Sequence, residues 1–218
     1  MINSVLADKY PVIKEILENP NERRTIEFKP SLLWPKQIDN SKLGKKIQEI
    51  IRSILGLSNL RNGGRTILGV EKDSSTGNYT AKGMKKKHLP SYDQDNIYQA
   101  VRNFGSPEPR FETLNVEFNS NYFIVFEVQT FHTTPVVCVN RRNNLKKLDN
   151  SAIYIRNDKP ETVKVTQPDE MHEVINITVD KQLSLFSSRI GTLFKSMSKI
   201  HIARDTDEVK FKEQRGSL

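Results

Sequence analysis

Between Thr25 and Lys29 apolar and polar residues alternate one by one, with Ile26 and Phe28 on one side and Thr25, Glu27 and Lys29 on the other. A period of two predicts a strand with one face in a core. Glu27 and Lys29 then share the outward face. An acid and a base placed there make either a metal and phosphate site or an ordinary solvated edge. Ahead of this strand, Val5, Leu6, Val12, Ile13, Ile16 and Leu17 predict a short helix over 5–17. Pro11 interrupts or restarts it, and Asn19-Pro20-Asn21 closes it. After the strand, a loop over 30–40 holds Trp34, the only tryptophan. Ser41 is then placed to cap a helix in which Leu43, Ile47, Ile50, Ile51, Ile54 and Leu55 recur at helical spacing, opposite Lys45, Lys46, Glu49 and Arg52.

Gly63-Gly64 predicts a turn that needs positive φ, leading into a nearly all-apolar strand from Thr66 to Val70 with Glu71 where it emerges. A polar loop over 72–78 follows. Asp93 to Phe104 reads as a helix, Phe111–Phe118 and Tyr122–Gln129 as a hairpin, and Pro135–Asn140 and Ile153–Arg156 as strands. Pro168, Asp169 and Glu170 open a helix running to Ile177. The order predicts a mixed α/β (α+β) domain, a mixed sheet flanked by helices, plus a C-terminal helix.

In that last helix Leu183, Phe186, Ile190, Leu193, Met197 and Ile200 step 3-4-3-4-3. This seam either docks on its own domain or pairs with another helix, in a homodimer or a foreign partner. The boundaries read as 1–20 for an N-terminal helical segment, 21–180 for the main domain, 181–204 for the amphipathic helix, and 205–218 for a charged, disordered tail.

Charge narrows the partners. Lys and Arg exceed Asp and Glu by 8 in 218 residues, which favours polyanions, nucleic acid first. Basic clusters stand at Lys45-Lys46, Lys85-Lys86-Lys87, Arg141-Arg142, Lys146-Lys147, and Arg156 with Lys159. Each alone is a solvated face; several on one rim form a phosphate-binding groove. Tyr92, Tyr154 and Trp34 are candidates to stack on an unpaired base, against core packing as the plainer reading. The single cysteine, Cys138, reads as a small buried hydrophobe. His88, His132, His172 and His201 are scattered without zinc-ligand spacing. No Gly-Lys-Ser/Thr follows the glycine pair, so a P-loop nucleotide site is not expected. Neither a signal peptide nor a membrane span is legible, and a cytoplasmic protein without a membrane partner is the expectation.

The ordered set Ile26-Glu27-Phe28-Lys29, an amphipathic helix, Ser58-Asn59, Gly63-Gly64, Ile67 to Glu71 and Ile153-Tyr154-Ile155-Arg156 resembles the Schlafen-type AlbA-like domain over 21–177. The resemblance implies nucleic-acid binding and, as in the RNA-cleaving Schlafen cores, a divalent metal held by three acids. Glu22 and Glu27 match the five-residue spacing of two of those acids. Glu71 stands for the third, with Asp73 in reserve. The segment 58–64 is one residue longer than the family's pattern and lacks its threonine, and the third acid is a glutamate in place of aspartate.

What the resemblance implies is a metal-dependent endoribonuclease acting on RNA of transfer-RNA type, with RNA favoured over DNA. The alternative is a non-catalytic DNA- or RNA-binding module of a regulatory or prokaryotic defence protein. In the first reading Glu22, Glu27 and Glu71 hold Mg²⁺ or Mn²⁺, hard cations that prefer oxygen ligands. Lys29 then meets the charge building on phosphorus. Lys85, Lys86, Lys87, Arg141, Arg142, Lys146, Lys147 and Arg156 form the nucleic-acid-binding set. In the plainer reading Glu22 pairs with Arg23 or Arg24, and Glu27 with Lys29.

Overall fold

Phe123, Ile124, Val125 and Phe126 run consecutively through the middle of a sheet, and successive side chains point to opposite faces. Such a run without polar alternation means that both faces are covered. The computed structural model describes residues 4–35, 43–140 and 145–215. It divides into two compact units, Met1–Ile177 and Thr178–Leu218.

In chain order the elements are β1 (Ser4–Leu6), α1 (Pro11–Glu18), β2 (Ile26–Lys29), α2 (Lys45–Ser58), β3 (Gly64–Leu68), β4 (Val70–Lys72), β5 (Tyr79–Ala81), α3 (Gln94–Arg102), β6 (Gly105–Ser106), β7 (Phe111–Phe118), β8 (Asn121–Val128), β9 (Val137–Cys138), β10 (Tyr154–Arg156), β11 (Thr162–Lys164) and α4 (Pro168–Arg215). The main sheet has the order β1-β7-β8-β3-β2. Its outer pairs, β1 with β7 and β2 with β3, are parallel; β7–β8 and β8–β3 are antiparallel. The class is the mixed α+β one that the order of elements predicts.

On one face Leu68, Ile124 and Phe126 pack with Ile50, Ile54 and Trp34. On the other, Ile26, Phe28, Ile67, Phe123 and Val125 pack with Ile13, Ile16 and Leu17 of α1. Each buried side chain of this size contributes about 1.5–3 kcal/mol relative to exposure, so the two cores hold the sheet from both sides.

Two buried polar features fix the connections. Asn59, just past α2, is 1% exposed; its amide donates to the carbonyls of Val136 and Tyr154, both at 2.9 Å, and its Oδ1 accepts from Val136 N–H at 2.7 Å. One side chain thereby ties the end of α2 to the strands near β9 and β10. Gly63 turns the chain into β3 with φ +69°, and an added Cβ would stand 2.0 Å from the Val128 carbonyl oxygen.

Several elements differ from their sequence reading. The front of the expected helix over 5–17 is strand, because Ser4, Val5 and Leu6 pair with Asn115, Val116 and Glu117 of β7. Three residues are too few to print a period. The strand expected to continue to Val70 breaks at Gly69, where φ is +104°, and Val70 opens a separate ribbon, β4–β5. Ser41 lies outside the described residues; Gly44 occupies the α2 N-cap and makes no side-chain cap bond. α4 is one helix from Pro168 to Arg215, through residues expected to form a separate helix and a disordered tail. Among the described residues no helix is long and apolar enough to cross a membrane.

Candidate nucleic-acid interface

As the last strand of the main sheet, β2 leaves one backbone edge without a strand neighbour. Unpaired edge groups invite foreign strands or must be covered. Here side chains cover them. Phe28 N–H donates to Glu22 Oε1 at 3.0 Å, and the Ile26 carbonyl accepts from Arg23 N–H and from Arg156 Nη2, both at 3.2 Å.

Arg156 enters from β10 and is 1% exposed. Its Nε donates to the Arg24 carbonyl at 2.9 Å, and its Nη2 reaches the Arg23 and Pro160 carbonyls at 3.3 and 2.6 Å besides Ile26. Its Nη1 donates to Glu27 Oε2 and, at 3.4 Å, to Thr162 Oγ1. The other Glu27 oxygen, Oε1, lies 2.5 Å from Lys29 Nζ. Burial pushes the Glu27 carboxyl up, but Lys29 and Arg156 outweigh it and hold the group below the ordinary glutamate value. It is a buried anion saturated by two cations.

Glu27 and Lys29 do share a face, as the alternation predicts, but the face is not outward: Glu27 is 6% exposed. The β10–β11 ribbon supplies the partners, Arg156 and Thr162, that occupy Glu27. Arg156, expected among the nucleic-acid ligands, is therefore a structural group whose guanidinium is spent on the β2 edge. Glu22 does not pair with Arg23 or Arg24; its Oε2 accepts the Tyr79 hydroxyl at 2.5 Å. Burial and then this bond to Glu22 push the Tyr79 phenol well above its ordinary value. The Tyr79 ring also packs on Phe28, centroid to centroid at 5.2 Å. No sequence signal marks Tyr79, because a three-residue strand shows no period.

Glu71 is directed elsewhere by pleat parity. In the β4–β5 ribbon Lys72 pairs with Tyr79 and Glu71 with Thr80. Adjacent residues point to opposite faces, so Glu71 lies on the face away from Tyr79 and its partner Glu22. Its Oε2 takes Lys82 Nζ at 2.8 Å. Asp73 holds a turn, its Oδ1 accepting from Ser75 N–H at 2.7 Å, Ser75 Oγ at 2.5 Å and Thr76 N–H at 3.1 Å.

These carboxylates do not fit a Mg²⁺ or Mn²⁺ site. Each has protein partners, and among the described residues no group of three Asp, Glu, His or Cys is placed to hold a metal ion.

Of the basic residues, Lys85, Lys86 and Lys87 are exposed and enter no ion pair among the described residues. Their turn is pinned to the end of β2. Ser31, two residues past Lys29, accepts Lys85 N–H at 2.8 Å on Oγ and lies 2.9 Å from His88 Nδ1. Burial, then the charges of Lys87 and Lys85, hold His88 below its ordinary value.

A second basic edge gathers at the start of α2. Lys147 N–H donates to Gln48 Oε1 at 3.0 Å and its ammonium lies 3.6 Å from Glu49. The loop carrying exposed Lys146 is thus bonded to the turn that carries exposed Lys45 and Lys46. Arg141 and Arg142 lie outside the described residues. The stacking candidates are core: Trp34, Tyr92 and Tyr154 are 0–1% exposed. Tyr92 donates to the Leu32 carbonyl at 3.0 Å, and the Tyr154 hydroxyl accepts Asp149 N–H at 2.7 Å.

The result is a small mixed α+β domain in which Glu27 is locked inside the edge strand and Lys85, Lys86 and Lys87 stand exposed on a turn bonded to Ser31. The model of the family "Schlafen, AlbA_2" matches residues 22–166, and the chain belongs to that family. No curated protein matches the chain in sequence. In fold it is similar to the DIP2311 protein from Corynebacterium diphtheriae, with a TM-score of 0.45 and 14% identity over 76% of this chain and 28% of that one. It is also similar to the N-terminal domain of a RecG-related protein from Nitrosomonas europaea, with a TM-score of 0.39 and 17% identity over 60% of this chain and 80% of that one. The chain therefore spans 28% of the length of the Corynebacterium protein.

Proposed function

We propose that this chain is a nucleic-acid-binding domain that takes the phosphate backbone on the Lys85–Lys87 turn, with Lys45, Lys46 and Lys146 as a second set of contacts. Membership in the Schlafen AlbA_2 family supports the binding class. The observation that carries the location is the turn itself: three consecutive exposed lysines without ion pairs among the described residues, on a backbone bonded to Ser31. A polyanion releases counterions as it neutralises such cations, which makes the affinity salt-dependent and largely independent of sequence.

Binding without cleavage is the reading the acids favour. Metal-dependent endoribonuclease activity on transfer-RNA-type RNA would require Glu27 to exchange Arg156 and Lys29 for a cation. The test incubates the full chain with labelled transfer RNA, single-stranded RNA and duplex DNA, in Mg²⁺, Mn²⁺ or chelator. Salt-sensitive complexes with intact nucleic acid are expected, unchanged by Glu71→Gln. Metal-dependent products lost in that variant would replace this reading by the nuclease. The same titrations rank RNA against DNA, RNA being the preference the family resemblance implies.

A further inference from the structure

Arg156 finds an acceptor for each of its three guanidinium nitrogens. Arg52, half-buried on α2, finds none: it enters no hydrogen bond or ion pair among the described residues, and its Nε is buried without a partner. A buried donor left unpaired in this way calls for an explanation. What positions the side chain is a ring. The guanidinium carbon lies over Tyr154, 4.8 Å from the ring centroid, a cation on an aromatic face. That ring is fixed in its turn. Tyr154 is 1% exposed, and its hydroxyl accepts Asp149 N–H at 2.7 Å and donates to the Lys147 carbonyl at 3.4 Å.

The neighbouring acids are drawn off. Glu49, one turn earlier on α2, lies 3.6 Å from Lys147, and Asp149 lies 3.4 Å from Lys164. Lys45 stands two turns before Arg52 on the same helical face, about 10 Å away along the axis. The loop of Lys146 and Lys147 is bonded to the Tyr154 hydroxyl. A planar fork with unused donors, oriented by a ring and set among cations, lacks an anion with several acceptor oxygens. Two parallel N–H groups of a guanidinium match two oxygens of a phosphate.

We infer that Arg52 anchors the second set of contacts, gripping one backbone phosphate with both Nη atoms while Lys45, Lys46 and Lys146 act as point charges around it. This role rests on the nucleic-acid reading; within it, the phosphate held by Arg52 is the one held by geometry as well as by charge.

Anisotropy titrations of the full chain with labelled single-stranded RNA over a salt series separate fork from charge. Arg52→Lys keeps the charge, so the salt slope should stay as in the wild type while the dissociation constant rises about tenfold at every salt concentration. Arg52→Ala should weaken binding further and flatten the slope by about 0.7, one phosphate contact. Thermal unfolding of both variants reads the loss of the ring contact separately. In the wild type itself, the guanidinium nitrogens of Arg52 should shift in the NMR spectrum and rotate more slowly once RNA saturates the protein. Wild-type affinity in Arg52→Lys, affinities unaltered in both variants whatever their melting temperatures, or an Arg52 signal indifferent to RNA would overturn the inference. In each of these cases, binding that is lost in Lys85→Ala/Lys86→Ala/Lys87→Ala leaves the nucleic-acid reading standing. No RNA binding by the wild type would overturn both.

Discussion

Arg156 donates to the carboxylate of Glu27 across 129 residues of chain, and the two are buried together against the edge of the main sheet. Arg156 and Glu22 together do what a sixth strand would otherwise do at that edge. Arg156 also supplies the Ile26 carbonyl with a donor, and Glu22 supplies the Phe28 amide with an acceptor.

Arg156→Met should therefore destabilise the fold by about 3–5 kcal/mol in urea unfolding, because it leaves a buried anion with one cation fewer. Arg156→Lys should recover little of that loss. A single ammonium cannot reproduce a planar fork that serves the Arg24, Arg23, Ile26 and Pro160 carbonyls together.

The same pair sets an acid limit. The folded Glu27 carboxyl is held below its ordinary value, so its stabilisation is whole above the unfolded value of about 4.3 and is lost as pH falls through the lower folded value. Unfolding free energies of the wild type and Glu27→Gln should differ at neutral pH and converge in acid. A difference constant down to low pH would mean that the carboxylate charge contributes nothing.

Much of this was legible in the chain, and the reasons for the rest are physical. The alternation at Ile26–Phe28 and the spacing of Ile47, Ile50, Ile51 and Ile54 locate β2 and α2 because the apolar residues of each recur with the period of its element, although β2 proves buried on both faces. What covers β2 cannot be read locally: Arg156 sits in a basic stretch and looks like a phosphate ligand until the β10–β11 ribbon folds over Glu27. Tyr79 and Thr162 lie in strands of three residues, too short for a period. Likewise Glu71 sits near the expected place in sequence, and pleat parity alone turns it to Lys82.

Gly63 and Gly77 separate backbone strain from collision, since both have positive φ but only Gly63 faces atoms, with nothing within 4 Å of a Cβ at Gly77. Gly77→Ala should cost about 1–2 kcal/mol from conformation alone. Gly63→Ala should cost distinctly more, because the methyl meets the Val128 carbonyl. Equal thermal shifts in the two variants would contradict this.

His88 offers a probe of the lysine turn. Lys87 and Lys85 contribute to its lowered value, and phosphate bound over them would cancel part of their field. NMR titration should then show the His88 value rising when an oligonucleotide is added. An unchanged value in the saturated complex would place the nucleic acid elsewhere.

The central claim rests on that turn, and fluorescence anisotropy with a labelled single-stranded RNA across a salt series tests it most directly. The wild type should bind with log affinity falling linearly in log salt. Lys85→Ala/Lys86→Ala/Lys87→Ala should flatten the slope by about 2, at roughly 0.7 per lost phosphate contact, and weaken binding at low salt. Identical slopes and affinities for the two proteins, or no salt-dependent binding by the wild type, would contradict the account.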